Sequence, residues 1–259
     1  MRQLSFIAAA ICALGMGATA EAQTRFARVW IDVSAASAMA AEDSFAMTVS
    51  VARSSEQAEF GALYHVPRSV SLEAGGGFML TPKIGIGLSV GGSAHEERAD
   101  LAASLPHPYF LNAFASAAGQ TDIPMQRIER HVSLQAMLIA LQTRRVRVRA
   151  FGGPSYFRIQ QDSVTDITYH QFYFVHSPTN VAELTDYEFA RIDGSGWGFH
   201  VGADGTLFFT HILGVAGFAS YSRGTVDIEN TVATALDQRE LVAVRAGGLQ
   251  VGGGLRLTF

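Results

Sequence analysis

Cysteine, lysine and charge are scarce in this sequence. Among 259 residues there is one cysteine, Cys12, and one lysine, Lys83, out of 19 basic residues. Charged residues make up 16% of the chain, against about 25% in an average soluble domain. Because Cys12 lies in the predicted leader described next, the remaining chain has no disulfide, thiolate metal site or cysteine nucleophile. The net charge of −4, without a basic cluster, argues against a nucleic-acid partner.

Long apolar runs are also missing. No stretch holds 18 consecutive apolar residues, which excludes a transmembrane helix. The N-terminus has the pattern of a secretory signal peptide, with Arg2, an apolar stretch at 4–16 and an A-x-A cleavage site at 20–22. We therefore predict a signal peptide over residues 1–22 and a single domain over 23–259. Without helices, such a chain can enter a membrane only as a closed β-barrel, which pairs every backbone group in lipid.

The last stretch, residues 243–259, alternates between two faces. The apolar face comprises Leu249, Val251, Leu255, Leu257 and Phe259. The opposite face carries small or polar residues, so period 2 predicts a β-strand. A final aromatic residue suits a membrane–water interface.

Seven further segments alternate in the same way. They cover 28–36, 70–80, 84–90, 131–141, 145–160, 197–209 and 213–226. Three connections are short (81–83, 142–144 and 210–212) and four are long (37–68, 94–128, 161–194 and 227–242). We predict a β-ribbon within 37–68, irregular or polar loops in the other long connections, and a bulge or bend at 152–154. Strict alternation of short and long connections predicts an all-β, eight-stranded antiparallel up-and-down transmembrane β-barrel with short periplasmic turns and four long extracellular loops. Its first strand should pair with the last.

The second face of these strands mixes charged residues with glycine, alanine and serine. The charged or titratable residues are Asp32, Glu73, Arg147, Arg149, His200, Asp204 and Arg256. A soluble, lipocalin-like barrel is the alternative, and it would turn this face to water. The many glycines favour the membrane barrel, because its crowded interior needs small residues and a water-exposed surface does not. We therefore predict that the charged residues point inward and pair in a plugged or very narrow lumen, since an unpaired buried charge is costly.

At this point the chain resembles the bacterial outer-membrane β-barrel superfamily of OmpA/OmpX type. The resemblance rests on the architecture, on the terminal strand and on the stretches at 106–110 and 152–157. Gly254, Leu257 and Phe259 match the signal read by the barrel-insertion machinery, whereas Gly252 stands where a polar residue is usual. The resemblance implies an integral protein of the Gram-negative cell outer membrane. Members range from structural anchors to adhesion proteins, transporters and lipid-modifying enzymes, so the resemblance fixes no activity.

No motif predicts a metal, a cofactor or catalysis. His95 beside two glutamates is more typical of a solvated turn than of a metal site, and His107 between two prolines is more typical of a rigid loop tip. The candidate residues for a nucleophilic site are Ser133 with His131, or else Ser155, but no partner acid is evident. We therefore expect a structural or surface-interaction role and no enzyme activity. Passage of small solutes and modification of outer-leaflet lipids remain alternatives.

The expected partners follow from this architecture. They are the outer-membrane lipid bilayer, the barrel-insertion machinery during assembly and an extracellular partner bound through the loops. The chain is expected to act as a monomer.

Overall fold

The computed structural model describes residues 28–53, 55–230 and 241–259, and in these ranges the chain is built of strands without helices. The described part therefore holds no helix long and apolar enough to cross a membrane. The predicted signal peptide, residues 1–22, lies outside the described residues. The strands are β1 (Val29–Ala40), β2 (Ser44–Arg53), β3 (Glu56–His65), β4 (Ser69–Met79), β5 (Ile84–Glu97), β6 (Asp100–Pro106), β7 (Phe114–Gln120), β8 (Met125–Gln142), β9 (Val146–Tyr173), β10 (Asn180–Phe208), β11 (Leu213–Glu229) and β12 (Leu241–Thr258).

Eight of the strands close into an antiparallel barrel in the order β1-β12-β11-β10-β9-β8-β5-β4. The first and last strands pair from Trp30 opposite Thr258 to Ala40 opposite Gly248, which confirms the predicted closure. The three short turns lie at the same end as the two ends of the described barrel. This end is periplasmic in the predicted orientation. The fold class predicted from the alternation is thus confirmed.

The long connections differ from the prediction. The first long connection carries the expected ribbon, β2–β3. The prediction that the second is irregular is wrong, because β6 and β7 form a hairpin there. This hairpin extends the β2–β3 ribbon to a four-stranded sheet in the order β2-β3-β6-β7. The third is not a loop, because β9 and β10 stay paired from Val146–Leu207 out to Tyr173–Asn180. Residues 231–240 of the fourth lie outside the described residues. In these connections apolar side chains alternate with polar ones, so the connections can form sheets that have one buried face.

Of the bulge or bend predicted at 152–154, the bulge is wrong. The pairing of β9 with β10 runs through Gly152, Gly153 and Pro154 without a register shift. The irregularity of the β8–β9 pair lies instead between Ile139 and Leu141. Gly153 allows close strand packing here without an extra residue, because a Cβ at this position would collide with the carbonyl oxygen of Leu134.

Large apolar side chains point outward around the barrel and form a band that is exposed on every strand. Examples are Leu72, Leu88, Leu134, Val201, Val215 and Val251. Aromatic residues lie toward both edges of this band: Phe78, Phe209 and Phe259 at the periplasmic end, and Tyr156, Trp197 and Tyr221 at the other. This is the surface of a lipid-facing barrel, with aromatic girdles at its interfaces.

Beyond the band, the extensions of β9 to β12 and the four-stranded sheet enclose a second core, and we call this part of the protein the head. Its buried apolar residues are Phe45, Met47, Ala62, Tyr64, Ala99, Leu101, Met125, Phe157, Ile159, Val164, Ile167, Val226, Ile228, Val244 and Ala246. The lumen meets the head where β12 passes Gly247 and Gly248. Both have positive φ, +88° and +140°, a conformation that favours glycine.

Candidate functional site

The interior of the barrel holds a cluster of two arginines and two aspartates. Nη2 of Arg149 lies 2.8 Å from Oδ2 of Asp204, and Nη2 of Arg256 lies 2.7 Å from Oδ2 of Asp32. Arg256 also donates to both carboxylate oxygens of Asp204 and to the hydroxyl of Thr206. Arg149, Asp204 and Arg256 are each less than 5% exposed. The two guanidinium and two carboxylate charges therefore balance one another within a buried network, as charges removed from water require.

Trp30 lies beneath this network and closes the lumen on its periplasmic side. The guanidinium carbons of Arg149 and Arg256 lie 4.5 Å and 5.6 Å from the centroid of its ring. The ring fits because Gly77 and Gly87 face it, and a Cβ at either position would come within 2.8 Å of its Cζ2 atom. Met79, Met137 and Ile139 complete the apolar packing. The indole and the methionines fill the space that a channel would need.

A small cavity remains on the other side of the ion network. Its volume is about 40 Å³, and Glu73, Gln135, Phe151, Phe218 and Ser220 contribute to its lining. A single water molecule needs about 10–15 Å³ by the same measure, so the cavity has room for about three. It is too small for a nutrient-sized solute.

Hydroxyl and imidazole groups cross the lumen further out. The Oγ atoms of Ser133 and Ser155 are 2.8 Å apart, and Oγ of Ser155 lies 2.9 Å from Nδ1 of His200. Nε2 of His131 lies 3.9 Å from Oε2 of Glu73. Glu73 is therefore the acid beside His131 that the sequence did not reveal, because β4 and β8 are distant along the chain. Both serines are at most 2% exposed on the inner face, so a membrane lipid cannot reach them.

The seven residues predicted to share a lumen network do not all meet. Asp32, Arg149, Asp204 and Arg256 form one contact network, while Glu73 and His200 belong to the outer group of hydroxyls and imidazoles. Arg147 lies apart, with its guanidinium carbon 5.1 Å from the ring centroid of Phe208. Within the described ranges, no carboxylate is at ion-pair distance from Arg147.

The three residues of the predicted assembly signal lie at the periplasmic end of the barrel wall, in β12 and directly after it. Gly254 pairs with Ser34 and Leu257 with Ile31, both in β1. Phe259 is 48% exposed and exchanges backbone hydrogen bonds of 2.8 Å and 3.1 Å with Val29. The final residue thus helps to close the barrel, and its recognition by the insertion machinery stays a prediction.

A polar group that the sequence did not predict joins the lumen to the head. Arg127 is 3% exposed and donates to Gln161 Oε1 at 3.3 Å and to the carbonyl oxygen of Arg245 at 3.2 Å. Glu129 accepts a 2.6 Å hydrogen bond from the backbone N–H of Gly247. Alternation alone could have indicated that Arg127 and Glu129 share the inward face, but Arg127 falls in the expected loop and Glu129 lies between that loop and the predicted strand 131–141.

His95 and Tyr64 lie beside this group, outside the apolar band. Burial and the nearby Arg127 guanidinium lower the pKa of His95 to about 4, against an opposing effect of Glu97. Burial raises the pKa of Tyr64, whose hydroxyl lies 3.1 Å from Ser163 Oγ and accepts a 2.8 Å hydrogen bond from the N–H of Val164. In the described part of the chain, no three His, Cys, Asp or Glu side chains are arranged to hold a metal ion.

His107, in the β6–β7 turn, is a structural residue of the head. Its Nδ1 accepts hydrogen bonds from the N–H groups of Tyr109 at 3.0 Å and Phe110 at 3.2 Å. Its ring is 1% exposed and contacts Tyr173 edge-on, at 5.6 Å between centroids. The histidine thus fixes the turn from inside.

No protein-family model matches this chain, and no curated protein matches it by sequence. Among solved structures it is similar to the outer membrane protein OprG from Pseudomonas aeruginosa, with a TM-score of 0.52 and 10% identity over 90% of this chain and 96% of that one. This chain has the fold of a bacterial outer-membrane β-barrel. The outer membrane is the location that this fold and the outward apolar band indicate.

Two further solved barrels superimpose less well. The outer membrane protease OmpT from Escherichia coli gives a TM-score of 0.48 at 9% identity, covering 93% of this chain and 100% of that one. Neisserial surface protein A gives 0.41 at 10% identity, covering 89% and 97%. The protease activity named for OmpT belongs to that protein, and a likeness of this degree brings no activity to the outer-membrane barrel described here.

Proposed function

We propose that this outer-membrane barrel, of the OmpA/OmpX type, is a monomeric, non-catalytic anchor that holds a rigid β-structured head outside the cell for interaction with an extracellular partner. The observation that carries the proposal is the combination of a filled lumen with a head that has its own apolar core. A filled lumen supports a role on the cell surface rather than the passage of solutes through the barrel. A packed head supports recognition, because binding residues need a rigid scaffold.

The distal tip of the head supplies a candidate binding surface. Here the β6–β7 turn packs against the end of the β9–β10 hairpin: Asn180 Nδ2 donates to the carbonyl oxygen of Leu105 and Gln171 Nε2 to that of Pro106, both at 3.0 Å. Neither segment, 105–115 nor 167–182, contains an Asp, Glu, Lys or Arg. The exposed apolar residues of the tip are Tyr109, Leu111, Phe114, Phe172, Tyr173, Phe174, Val175 and Val181. A large exposed apolar patch on a soluble surface is typical of an interaction site.

The two alternative functions have weaker support. The lumen cavity of about 40 Å³ and the ring of Trp30 below it oppose passage of solutes. A lipid-modifying site needs its nucleophile at the lipid surface, whereas Ser133 and Ser155 are buried inside the barrel. The assembly step that we propose uses the insertion machinery and the end of β12, with Gly254, Leu257 and Phe259 as its signal.

Three measurements test this proposal on the full-length protein. On cold SDS gels the folded protein should migrate differently from the heated one, as closed membrane barrels do. In planar bilayers the inserted protein should be electrically silent, and stepwise conductance would contradict the filled lumen. Lipid A should be unchanged in cells that overproduce the protein, and a new lipid species would contradict the absence of catalysis.

The binding surface needs a test of its own. A photo-crosslinking amino acid placed at Phe174 on intact cells should give discrete adducts with extracellular material. The control position is Ile123, which is 54% exposed and lies outside the two tip segments. Equal crosslinking at both positions would contradict a binding site at the tip.

A further inference from the structure

The distal tip of the head is a protrusion built from two chain reversals that lie side by side. They are the β6–β7 turn, residues 107–113, and the end of the β9–β10 hairpin, residues 174–179. The rings of Tyr109 and Tyr173, one from each segment of the tip, lie 6.0 Å apart between centroids. Among the exposed large apolar residues, Leu111 is the most exposed of segment 105–115, at 70%, and Phe174 of segment 167–182, at 65%. The tip thus presents apolar side chains outward on a protrusion, whereas a groove would enclose those of a partner.

The β6–β7 turn supplies acceptors for its own backbone, although it lies at the far end of the protein. The N–H of His107 donates to the carbonyl oxygen of Ala113 at 2.7 Å. The N–H groups of Tyr109 and Phe110 donate to Nδ1 of the same histidine at 3.0 Å and 3.2 Å. A turn in water does not need such acceptors, because water supplies them, but a turn that enters lipid does.

The end of the β9–β10 hairpin has the same property. The N–H of Phe174 donates to the carbonyl oxygen of Thr179 at 3.4 Å, and the N–H of Ser177 donates to the carbonyl oxygen of Phe174 at 3.3 Å. The N–H of Thr179 donates to Oγ of Ser177 at 3.3 Å, and the two hydroxyl oxygens lie 2.9 Å apart. A protein partner can offer hydrogen bonds of its own, whereas the interior of a bilayer cannot. The internal pairing of both turns therefore favours a lipid partner.

Charged side chains of both signs lie at the margin of the tip. The two tip segments themselves contain no Asp, Glu, Lys or Arg. At the margin, the guanidinium carbon of Arg53 lies 5.3 Å from the ring centroid of Tyr169, and Glu183 is opposite His170 in the β9–β10 register. Both Arg53 and Glu183 are exposed. An apolar centre with a cation and an anion beside it matches a zwitterionic phospholipid surface, where ammonium and phosphate groups cover the acyl chains.

We propose that the tip inserts into the surface of a second bilayer, one of zwitterionic phospholipid, that faces the cell. Leu111 and Phe174 enter the boundary between head groups and acyl chains, and the rings of Tyr109 and Tyr173 lie at the level of the head groups, as interfacial aromatic residues do. The inference rests on the proposed function, which places the tip outside the cell as a binding surface. It deepens that proposal because it names the class of partner.

The test uses the full-length barrel held in amphipol and vesicles of phosphatidylcholine, with co-sedimentation as the measure of partitioning. The double variant Leu111→Ser with Phe174→Ser should weaken partitioning at least about tenfold, because burial of one large apolar side chain corresponds to about that factor in affinity. The matched control is Leu63→Ser with Phe189→Ser. It removes the same two residue types from head positions outside the tip segments, 36% and 45% exposed, and should bind as the wild type does.

A second measurement reports the depth of insertion. Tryptophan replaces Phe174 in one variant and Ile123 in another, and each is mixed with phosphatidylcholine vesicles whose acyl chains carry bromine. The emission of the Phe174→Trp protein should be quenched, because bromine quenches only an indole that reaches the acyl chains. The Ile123→Trp protein should keep its emission, because this position lies outside the tip segments. The two native tryptophans, Trp30 and Trp197, lie in the wall and give both variants the same background.

The outcomes separate the lipid partner from the proposed function. Equal partitioning of the tip variant and the wild type would overturn the inference, as would equal losses in the two double variants or equal quenching at the two tryptophan positions. Tighter binding to anionic phosphatidylglycerol vesicles would also overturn it, because charge would then govern the contact. Discrete protein adducts from the crosslinker at Phe174, without vesicle binding, would rule out the lipid partner and leave the proposed function standing. Loss of heat-modifiable migration by the wild type, or equal crosslinking at Phe174 and Ile123, would instead contradict the proposed function.

Discussion

Strand β11 crosses the barrel wall and the head, and the polarity of its inward and outward faces is opposite in these two regions. In the barrel wall its inward residues other than Phe218 are small or polar, such as Ser220 and Ser222, and its outward residues include Val215 and Tyr221. In the head its inward residues are Val226 and Ile228, both fully buried, and its outward ones are Arg223, Asp227 and others that are polar. The same alternate residues point inward along the whole strand, and only the polarity of the inward and outward side chains changes. The surroundings, lipid below and water above, decide which chemistry each face needs.

The same inversion occurs on β12 and β9. Val244 and Ala246 of β12 are buried in the head, whereas Arg256 of the same inward face lies in the lumen network. On β9, Arg149 lies in the lumen and Ile159 in the head core. The wall is thus held inside by paired charges and hydrogen bonds, and the head by apolar packing. Substitutions that remove one of these two kinds of interaction should therefore act on one region and spare the other.

The largest effect is expected from Arg256→Leu in the wall. This change leaves Asp204, which is 4% exposed, without one of its two guanidinium partners, and Asp32 without its 2.7 Å contact. Breaking a buried ion pair costs about 3–5 kcal/mol, so the free energy of unfolding in urea should fall by that amount. Arg144→Leu, in an exposed periplasmic turn, is the control and should change it by less than about 0.5 kcal/mol. Equal effects would mean that the lumen charges do not hold the wall together.

Leu101→Ala should act on the head alone. Leu101 is 4% exposed in the head core, and removing a buried leucine side chain costs about 2–5 kcal/mol. The loss should appear as faster amide exchange and faster proteolysis of β2, β3, β6 and β7, while migration on cold SDS gels remains that of a closed barrel. Leu63→Ala, 36% exposed on the neighbouring β3, is the matched control and should have little effect. Loss of the closed barrel would show that head and wall unfold as one unit.

The inversion also explains what could be predicted from the sequence. Period 2 indicated every wall strand, because apolar outward residues such as Leu88 and Val251 alternate with glycine in unbroken runs. Apart from the β2–β3 ribbon, it failed for the head, because there the inward face is apolar and the outward face polar, and short strands such as β6 and β7 are too brief to establish a pattern. A single assignment of the apolar face to the outside therefore fits the wall strands and fails in the head, where water replaces lipid outside the sheet.

Lumen residues could be predicted as a class but not as pairs. Alternation placed Asp32, Arg149, Asp204 and Arg256 on the inward face, and neutralisation of buried charge predicted that they pair. The distances between strands far apart in sequence, such as β1 and β10, depend on the stagger of the closed barrel. For the same reason Glu73 beside His131 was not evident, and Arg147 was grouped with charges that it does not contact.

An arginine substitution at two outward positions of β11 tests where along this strand the outer surface passes from lipid to water. Ala219→Arg places a charge within the apolar band and should lower stability by about 2–4 kcal/mol in lipid vesicles. Thr225→Arg, on the same face but beyond Tyr221, should change it by less than about 0.5 kcal/mol. Both are measured by urea unfolding of protein folded into vesicles. A cost at Thr225 equal to that at Ala219 would place the membrane boundary further out than the chemistry of β11 indicates.

The smallest expected effect concerns pH and the junction of the two regions. Because the pKa of His95 is lowered from 6.5 to about 4 by burial and Arg127, the folded protein holds this imidazole neutral where the unfolded chain would protonate it. The stability that His95 contributes is therefore complete above pH 6.5 and is lost as pH falls toward 4. The pKa of Asp100 is lowered from 3.8 by the hydrogen bond with His65, so its contribution is lost only below this range.

Between pH 6.5 and 4, proteolysis of the head should accelerate more in the wild type than in His95→Gln, whose side chain cannot take up a proton. An unchanged difference between the two proteins across this range would mean that His95 is not confined between wall and head.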